Sequence, residues 1–130
     1  MTDKPRILVT RKLLDANEER LSREFDAILN PDDHIMTADE IVAASRGMDA
    51  LLICVTEPMR ADTIARLPDS VKAIMTLSVG MEHINLDVAK DRGIAVLSTP
   101  DAVNDPTVEV AMLLLLGAAR RATEGAAMMR

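Results

Sequence analysis

Aromatic side chains are almost missing from this sequence: Phe25 stands alone, with no Trp and no Tyr in 130 residues. Such a chain has no platform on which to stack bases or sugars. Cysteine is nearly as scarce. Cys54 alone excludes an intrachain disulfide and a cysteine-rich zinc site, and no metal is expected. That usage fits a reducing, cytoplasmic setting. The few glycines (Gly47, Gly80, Gly93, Gly117 and Gly125) form neither a G-x-G-x-x-G nor a P-loop spacing. The chain therefore carries no dinucleotide fingerprint of its own. Basic residues are outnumbered, 15 against 21 acidic, for a net charge of −6. An acidic surface repels phosphate backbones, so nucleic acid is not an expected partner. The longest apolar run, 110–119, is far short of the ~20 residues of a membrane span. No apolar run follows Met1–Pro5 to suggest a signal peptide.

What is present is apolar residue in quantity, 48% of the chain, enough to bury one core without disulfides or metals. Short β-rich runs alternate with amphipathic stretches. Strands are expected at 6–10, 25–29, 50–55, 71–77 and 94–97, with helical segments at 13–24, 60–67 and 87–92 between them. The run 50–55 is apolar throughout, which suits a strand buried on both faces in the middle of a parallel sheet. Thr37-Ala38-Asp39-Glu40 has capping-box form ahead of Ile41 and Val42. Gly47 and Gly93 stand where helices end and a positive φ is needed. Asp105-Pro106 reads as N-cap and first residue of the longest helix, running to about Glu124.

Strands each followed by a helix define an α/β fold: an open parallel five-stranded sheet with helices on both faces. The flavodoxin-like order 2-1-3-4-5 is the common solution at this size. Ligands in such sheets sit outside the carboxyl ends of the strands. Here those are the loops at Arg11-Lys12, Val55–Pro58 and Ser78–Met81. A phosphate-accepting receiver domain would need acidic residues after the first strand and an aspartate ending the third. This chain has Arg11-Lys12 and Cys54-Val55-Thr56 there. A flavodoxin would need a hydroxyl- and glycine-rich loop after the first strand, and aromatics against the flavin. Neither is present.

One ordered series carries a resemblance. Thr76–Asn85 (TLSVGMEHIN) is followed by Ala89–Val96 (AKDRGIAV), then Ser98-Thr99-Pro100, then Thr107–Met112 (TVEVAM). The set resembles the substrate domain of the D-isomer-specific 2-hydroxyacid dehydrogenases, most of all the glyoxylate and hydroxypyruvate reductases. The resemblance implies a flavodoxin-like domain over 1–104. It also implies a connecting helix over 105–130 that in the family leads to a Rossmann domain. It assigns the substrate carboxylate to the backbone amides of Val79 and Gly80, and a pocket wall to Val55. It places Val79 and Thr107 against the nicotinamide cofactor, NAD or NADP in the complete enzyme. The physics is compatible: successive N–H groups leaving a strand make an anion-binding nest, and a Cβ at Gly80 would hinder close approach. Three positions depart from the family pattern: Asn85, Asp101 and Pro106.

The family's catalytic arginine, glutamate and histidine lie in its second domain, as does the glycine fingerprint. None has a counterpart here, so the resemblance implies no tight cofactor binding and no turnover by this chain alone. The alternative is a non-catalytic relative acting as a binding or assembly module through its last helix. In either case the apolar run 110–119 requires burial, so self-association or a partner domain over 105–124 is expected. The expected ligand is a small 2-oxo or 2-hydroxy acid, with no membrane partner. Other chemistry-bearing residues have bland readings. His83 is expected to pack or hydrogen-bond, and His34 to sit on the surface. Cys54 is expected to be a small buried hydrophobe. Met75, Met81 and Met112 read as gap fillers, with Met81 also placed to shape a pocket mouth.

Overall fold

The computed structural model describes residues 4–129. These divide into two compact units, the first ending at Thr99 and the second starting at Pro100. In the first, β1 (Arg6–Val9), β2 (Asp26–Ile28), β3 (Ala50–Ile53), β4 (Ala73–Thr76) and β5 (Ala95–Leu97) form one sheet in the order β2-β1-β3-β4-β5. Every neighbouring pair is parallel. Strand order and direction are those expected from the sequence. Each strand is shorter than its apolar run. Cys54, Val55 and Leu77 continue the apolar pattern after the ladder has ended.

Alternate residues of the strands feed two cores, as the two-residue period of a strand requires. Leu8, Leu51, Ile53 and Ile74 pack with Ile41, Ile64 and Ala89 of the helices α2 (Ala38–Ala44), α3 (Ala61–Arg66) and α4 (Leu86–Asp91). Ile7, Val9 and Ala50 point the other way, toward Leu21 and Phe25 at the end of α1 (Asp15–Glu24). Helices thus cover both faces, and β3 lies in the middle with only Leu52 short of full burial.

Local chemistry explains the helix ends. Thr37 and Glu40 form the capping box expected of them, side chain to backbone in both directions. Leu14, the N-cap of α1, has no side-chain cap. Glu18 compensates, its Oε1 accepting from Leu13 N at 2.9 Å while Oε2 accepts from Lys12 Nζ at 2.6 Å. The Lys12 bond, then the Leu13 N–H, hold the Glu18 carboxyl below its ordinary pKa. Gly47 and Gly93 have φ of 71° and 67°, the left-handed conformation that ends a helix cheaply only at glycine. Arg92 caps α3 from outside, its Nη1 donating to the carbonyls of Ile64, Ala65 and Leu67 at the C-terminal end of the helix, where carbonyls run short of partners.

The second unit corrects the sequence reading. Its first helix, α5, spans Asn104–Ala119, with Val103 as N-cap and no side-chain cap. Asp105 is therefore the second helical residue and Pro106 the third. Both still lie in the first turn, where a missing N–H and a negative charge are tolerated. The helix does not run unbroken to Glu124. Arg121 takes a left-handed φ of 50°, and α6 (Ala122–Met128) begins after it. Within this unit α5 buries no residue. Leu113 to Leu116 are each more than half exposed, and Met112, expected to fill core space, is 50% exposed. No helix among the described residues is long and apolar enough to cross a membrane.

Candidate functional site

Because the strands are parallel, their carboxyl ends lie along one edge of the sheet, where such folds bind ligands. At the β1 exit stand Thr10, Arg11 and Lys12. The β3 exit carries Cys54 to Pro58, and the β4 exit carries Leu77 to Met81. Leu77 N still donates to Ile53 O, at 2.9 Å, so the β3 and β4 exits begin side by side. Further out, the Met59–Ile84 bridge joins the segments that follow these two turns. Met59 N donates to His83 O and Asn85 N to Met59 O, each at 2.8 Å.

The residue that organises the β1–β3 corner is Glu57, fully buried and unremarked in the sequence. Its Oε2 accepts from Cys54 N at 2.8 Å and from Thr10 Oγ1 at 3.1 Å, and its Oε1 accepts from Thr56 Oγ1 at 2.7 Å. Thr56 in turn accepts from Arg11 Nη1 at 2.7 Å. A buried carboxylate is tolerated only when its oxygens are satisfied, and here a hydroxyl relays it to a guanidinium. The corner also corrects the reading of Cys54. That residue lies one position past β3 and is only partly buried, its N–H committed to Glu57.

Arg11 is itself clamped. Its Nε and Nη2 donate to the two oxygens of Asp33 at 2.7 and 2.9 Å, and Lys12 N adds a third bond at 2.9 Å. The Arg11 bond first, and the Lys12 N–H second, hold the Asp33 carboxyl far below the ordinary carboxylate range, while Asp33 raises Arg11 further. A depressed folded pKa means that the stabilisation is fully present above the unfolded pKa of about 4 and is lost as pH falls toward the folded value. Urea unfolding between about pH 7 and about pH 3 is expected to show a stability loss that Asp33→Asn makes shallower. An unchanged pH slope in the variant would contradict this.

The β4 turn is built differently. Ser78 Oγ donates to Gly80 O at 2.7 Å, Thr76 Oγ1 lies 2.8 Å from Ser78 Oγ, and His83 Nε2 lies 2.9 Å from Thr76 Oγ1. Thr99 N donates to Ser78 O at 2.9 Å, tying the turn to the β5 exit. Among the described residues none accepts a hydrogen bond from the N–H groups of Val79 and Gly80. Gly80 has no positive φ, and the nearest atoms an added Cβ would meet belong to the flexible carboxylate end of Glu82. The fold itself therefore does not demand glycine there, and any need for it comes from what approaches the turn.

Val55, at 57% exposure, and Val79, at 43%, stand on the turns leaving neighbouring strands, with Gly80 beside Val79. Thr107 lies on α5 in the second unit. His83 is half-buried and hydrogen-bonded, as expected. His34 is exposed, its Nε2 3.2 Å from Glu40 Oε1. Met75 and Met81 are half-buried. Among the described residues no three His, Cys, Asp or Glu side chains gather as a metal-ligand set.

The open parallel sheet in the order β2-β1-β3-β4-β5, with helices on both faces, defines the class: an α/β domain of flavodoxin-like topology. Comparison with known proteins gives the class a family. Residues 7–129 match the D-isomer specific 2-hydroxyacid dehydrogenase catalytic domain, and the chain belongs to that family. A glycerate dehydrogenase of Hyphomicrobium methylovorum is 45% identical over 127 residues, which cover 98% of this chain and 39% of that protein. A human glyoxylate reductase/hydroxypyruvate reductase is 32% identical over 92% of this chain and 37% of its own length. The solved structure of a Polaromonas protein, described as a D-isomer specific 2-hydroxyacid dehydrogenase, NAD-binding, superposes with a TM-score of 0.85 at 37% identity. It is matched over 98% of this chain and 40% of its own. The chain thus spans about two fifths of the length of these relatives. Their names are those of enzymes, and none favours a non-catalytic assembly module.

Proposed function

We propose that this chain is the substrate-binding part of an NAD- or NADP-dependent oxidoreductase that interconverts 2-oxo acids and D-2-hydroxy acids of the glyoxylate or hydroxypyruvate type. The observation that carries the proposal is the pair of unclaimed N–H groups at Val79 and Gly80, set at the carboxyl edge of the sheet. A carboxylate bound there gains charge-assisted hydrogen bonds without displacing any bond of the fold. Val55 and Val79 then offer apolar walls to the remainder of a small acid. Fixing the carboxylate orients the adjacent 2-oxo carbon, and orientation is a large share of the barrier to a two-reactant step.

The cofactor, when bound, supplies the hydride. The sequence has no glycine-spaced loop to take a pyrophosphate, and the family resemblance gives the chain only cofactor contacts, at Val79 on the β4 turn and, taken by itself, at Thr107 on α5. The isolated 130-residue chain is therefore expected to oxidise no NADH or NADPH with glyoxylate. The native polypeptide that carries this sequence is expected to do so with glyoxylate or hydroxypyruvate. A native polypeptide that reduces neither acid with either cofactor would overturn the proposal.

The bare apolar surface of α5 adds a second expectation. It is covered in the working protein by a further polypeptide surface, either a second copy or a partner domain. Light scattering on the isolated chain is expected to report a dimer or larger species, and a clean monomer at high concentration would count against it.

A further inference from the structure

The hydrogen bonds beneath the β4 turn have a direction, and it is fixed by counting protons. The Gly80 carbonyl can only accept, so Ser78 spends its single hydroxyl hydrogen there. Ser78 Oγ must then accept from Thr76 Oγ1, which spends the one hydrogen that Thr76 has. Thr76 Oγ1 can then only accept from the ring of His83, so the proton of that imidazole sits on Nε2. The chain runs one way, from His83 Nε2–H through two hydroxyls to the Gly80 carbonyl. Thr76 is buried, at 1% exposure, and its hydroxyl has no competing water-facing option.

The end point of this chain matters because it is a glycine. Gly80 carries no side chain to restrict its ψ, and the peptide that follows it would otherwise rotate easily. A peptide is planar and trans, so gripping the Gly80 carbonyl fixes the whole Gly80–Met81 plane. Fixing that plane restrains the residue whose own N–H is one of the two free donors. We propose that His83 is a positioning residue for the anion-binding turn: acting through Thr76 and Ser78, it holds the Val79–Gly80 N–H groups preorganised for a ligand carboxylate. The inference rests on the reading of that turn as the carboxylate site. The bridge at Met59–Ile84 and the bond from Met59 N to His83 O supply the fixed point from which His83 acts.

The test uses the full 130-residue chain, amide and imidazole nitrogen resonances, and glyoxylate as the probe. In the unliganded protein, long-range imidazole spectra are expected to place the His83 proton on Nε2 with a bond to Thr76. Ser78→Ala removes the last link with the loss of one surface-side hydroxyl and is expected to fold normally. It should weaken glyoxylate binding about fivefold, the equivalent of one neutral hydrogen bond. His83→Leu should do the same, and His83→Gln, whose side-chain amide can donate from a similar position, should recover most of the affinity.

Equal glyoxylate affinity in the parent, Ser78→Ala and His83→Leu would overturn the inference while leaving the carboxylate site standing. A His83 proton found on Nδ1 would also overturn it. If the parent chain gives no shift at Val79 and Gly80 with glyoxylate, the carboxylate site itself fails. The positioning role then fails with it, and the imidazole spectrum alone records the hydrogen-bond chain. Should His83→Leu not fold, Ser78→Ala against the parent decides the matter.

Discussion

Glu57→Ala is expected to destabilise the chain by about 4 kcal/mol, a large fraction of the 5–15 kcal/mol typical of a folded domain. The substitution leaves a cavity where a fully buried side chain stood. It also takes the acceptor from the Cys54 N–H and from the buried Thr10 hydroxyl, which keeps only a 3.4 Å bond to Leu52 O, while the hydroxyl of exposed Thr56 turns to water. Unsatisfied buried donors cost about 1–3 kcal/mol each when no water can reach them, and the cavity adds to that. Glu57→Gln keeps the shape and one good acceptor, so its cost should be nearer 1 kcal/mol. The thermal midpoint of the alanine variant should fall by on the order of 15 °C. Urea or thermal unfolding reads both numbers. An alanine variant within about 1 kcal/mol of the parent would mean that the corner is not held as described.

Gly80→Ala should separate folding from binding. Gly80 has no positive φ, and the nearest atoms a Cβ would meet belong to the movable end of Glu82. Stability should therefore change by less than about 1 kcal/mol. Glyoxylate affinity should fall at least about tenfold, because the new methyl stands where a carboxylate must come close to backbone N–H groups. A variant that folds and binds as the parent does would remove Gly80 from the site. A variant that fails to fold would show that the turn is tighter than its contacts indicate.

The strand order was legible because each buried strand is an apolar run, and the helix stops at Gly47 and Gly93 each need a conformation that glycine adopts freely. The Thr37–Glu40 capping box was legible for the same local reason. Strand ends were not, since Val55 and Leu77 keep the apolar pattern after the ladder has stopped and turn outward instead. The break at Arg121 had no herald: neither glycine nor proline stands there, and the residue takes a left-handed conformation that its type does not announce. Pro106 drew the helix start two residues too far along, because proline is common at the first helical position yet fits the third as well.

Of the site, the turn at Val79-Gly80 was visible through its motif, and Val55 through its place after a strand. Glu57 was not. Thr56-Glu57-Pro58 has the composition of a solvated loop, and the partner that helps bury it, Thr10, is 47 residues away. Burial of that kind is a tertiary fact. The one clue was a hydroxyl ending the first strand, and many strands end so. The His83 chain was equally hidden, because proton direction follows only once the distances between Thr76, Ser78 and Gly80 are known.

The proposed site for the carboxylate of a small 2-oxo acid is the Val79–Gly80 turn. An amide-resolved titration of the chain with glyoxylate, beside the neutral glyoxylamide, tests it most directly. Saturable shifts centred on Ser78 to Met81 and on Val55 are expected with glyoxylate, in about the millimolar range, and little with the amide. Shifts confined to other parts of the surface, or equal responses to acid and amide, would contradict it.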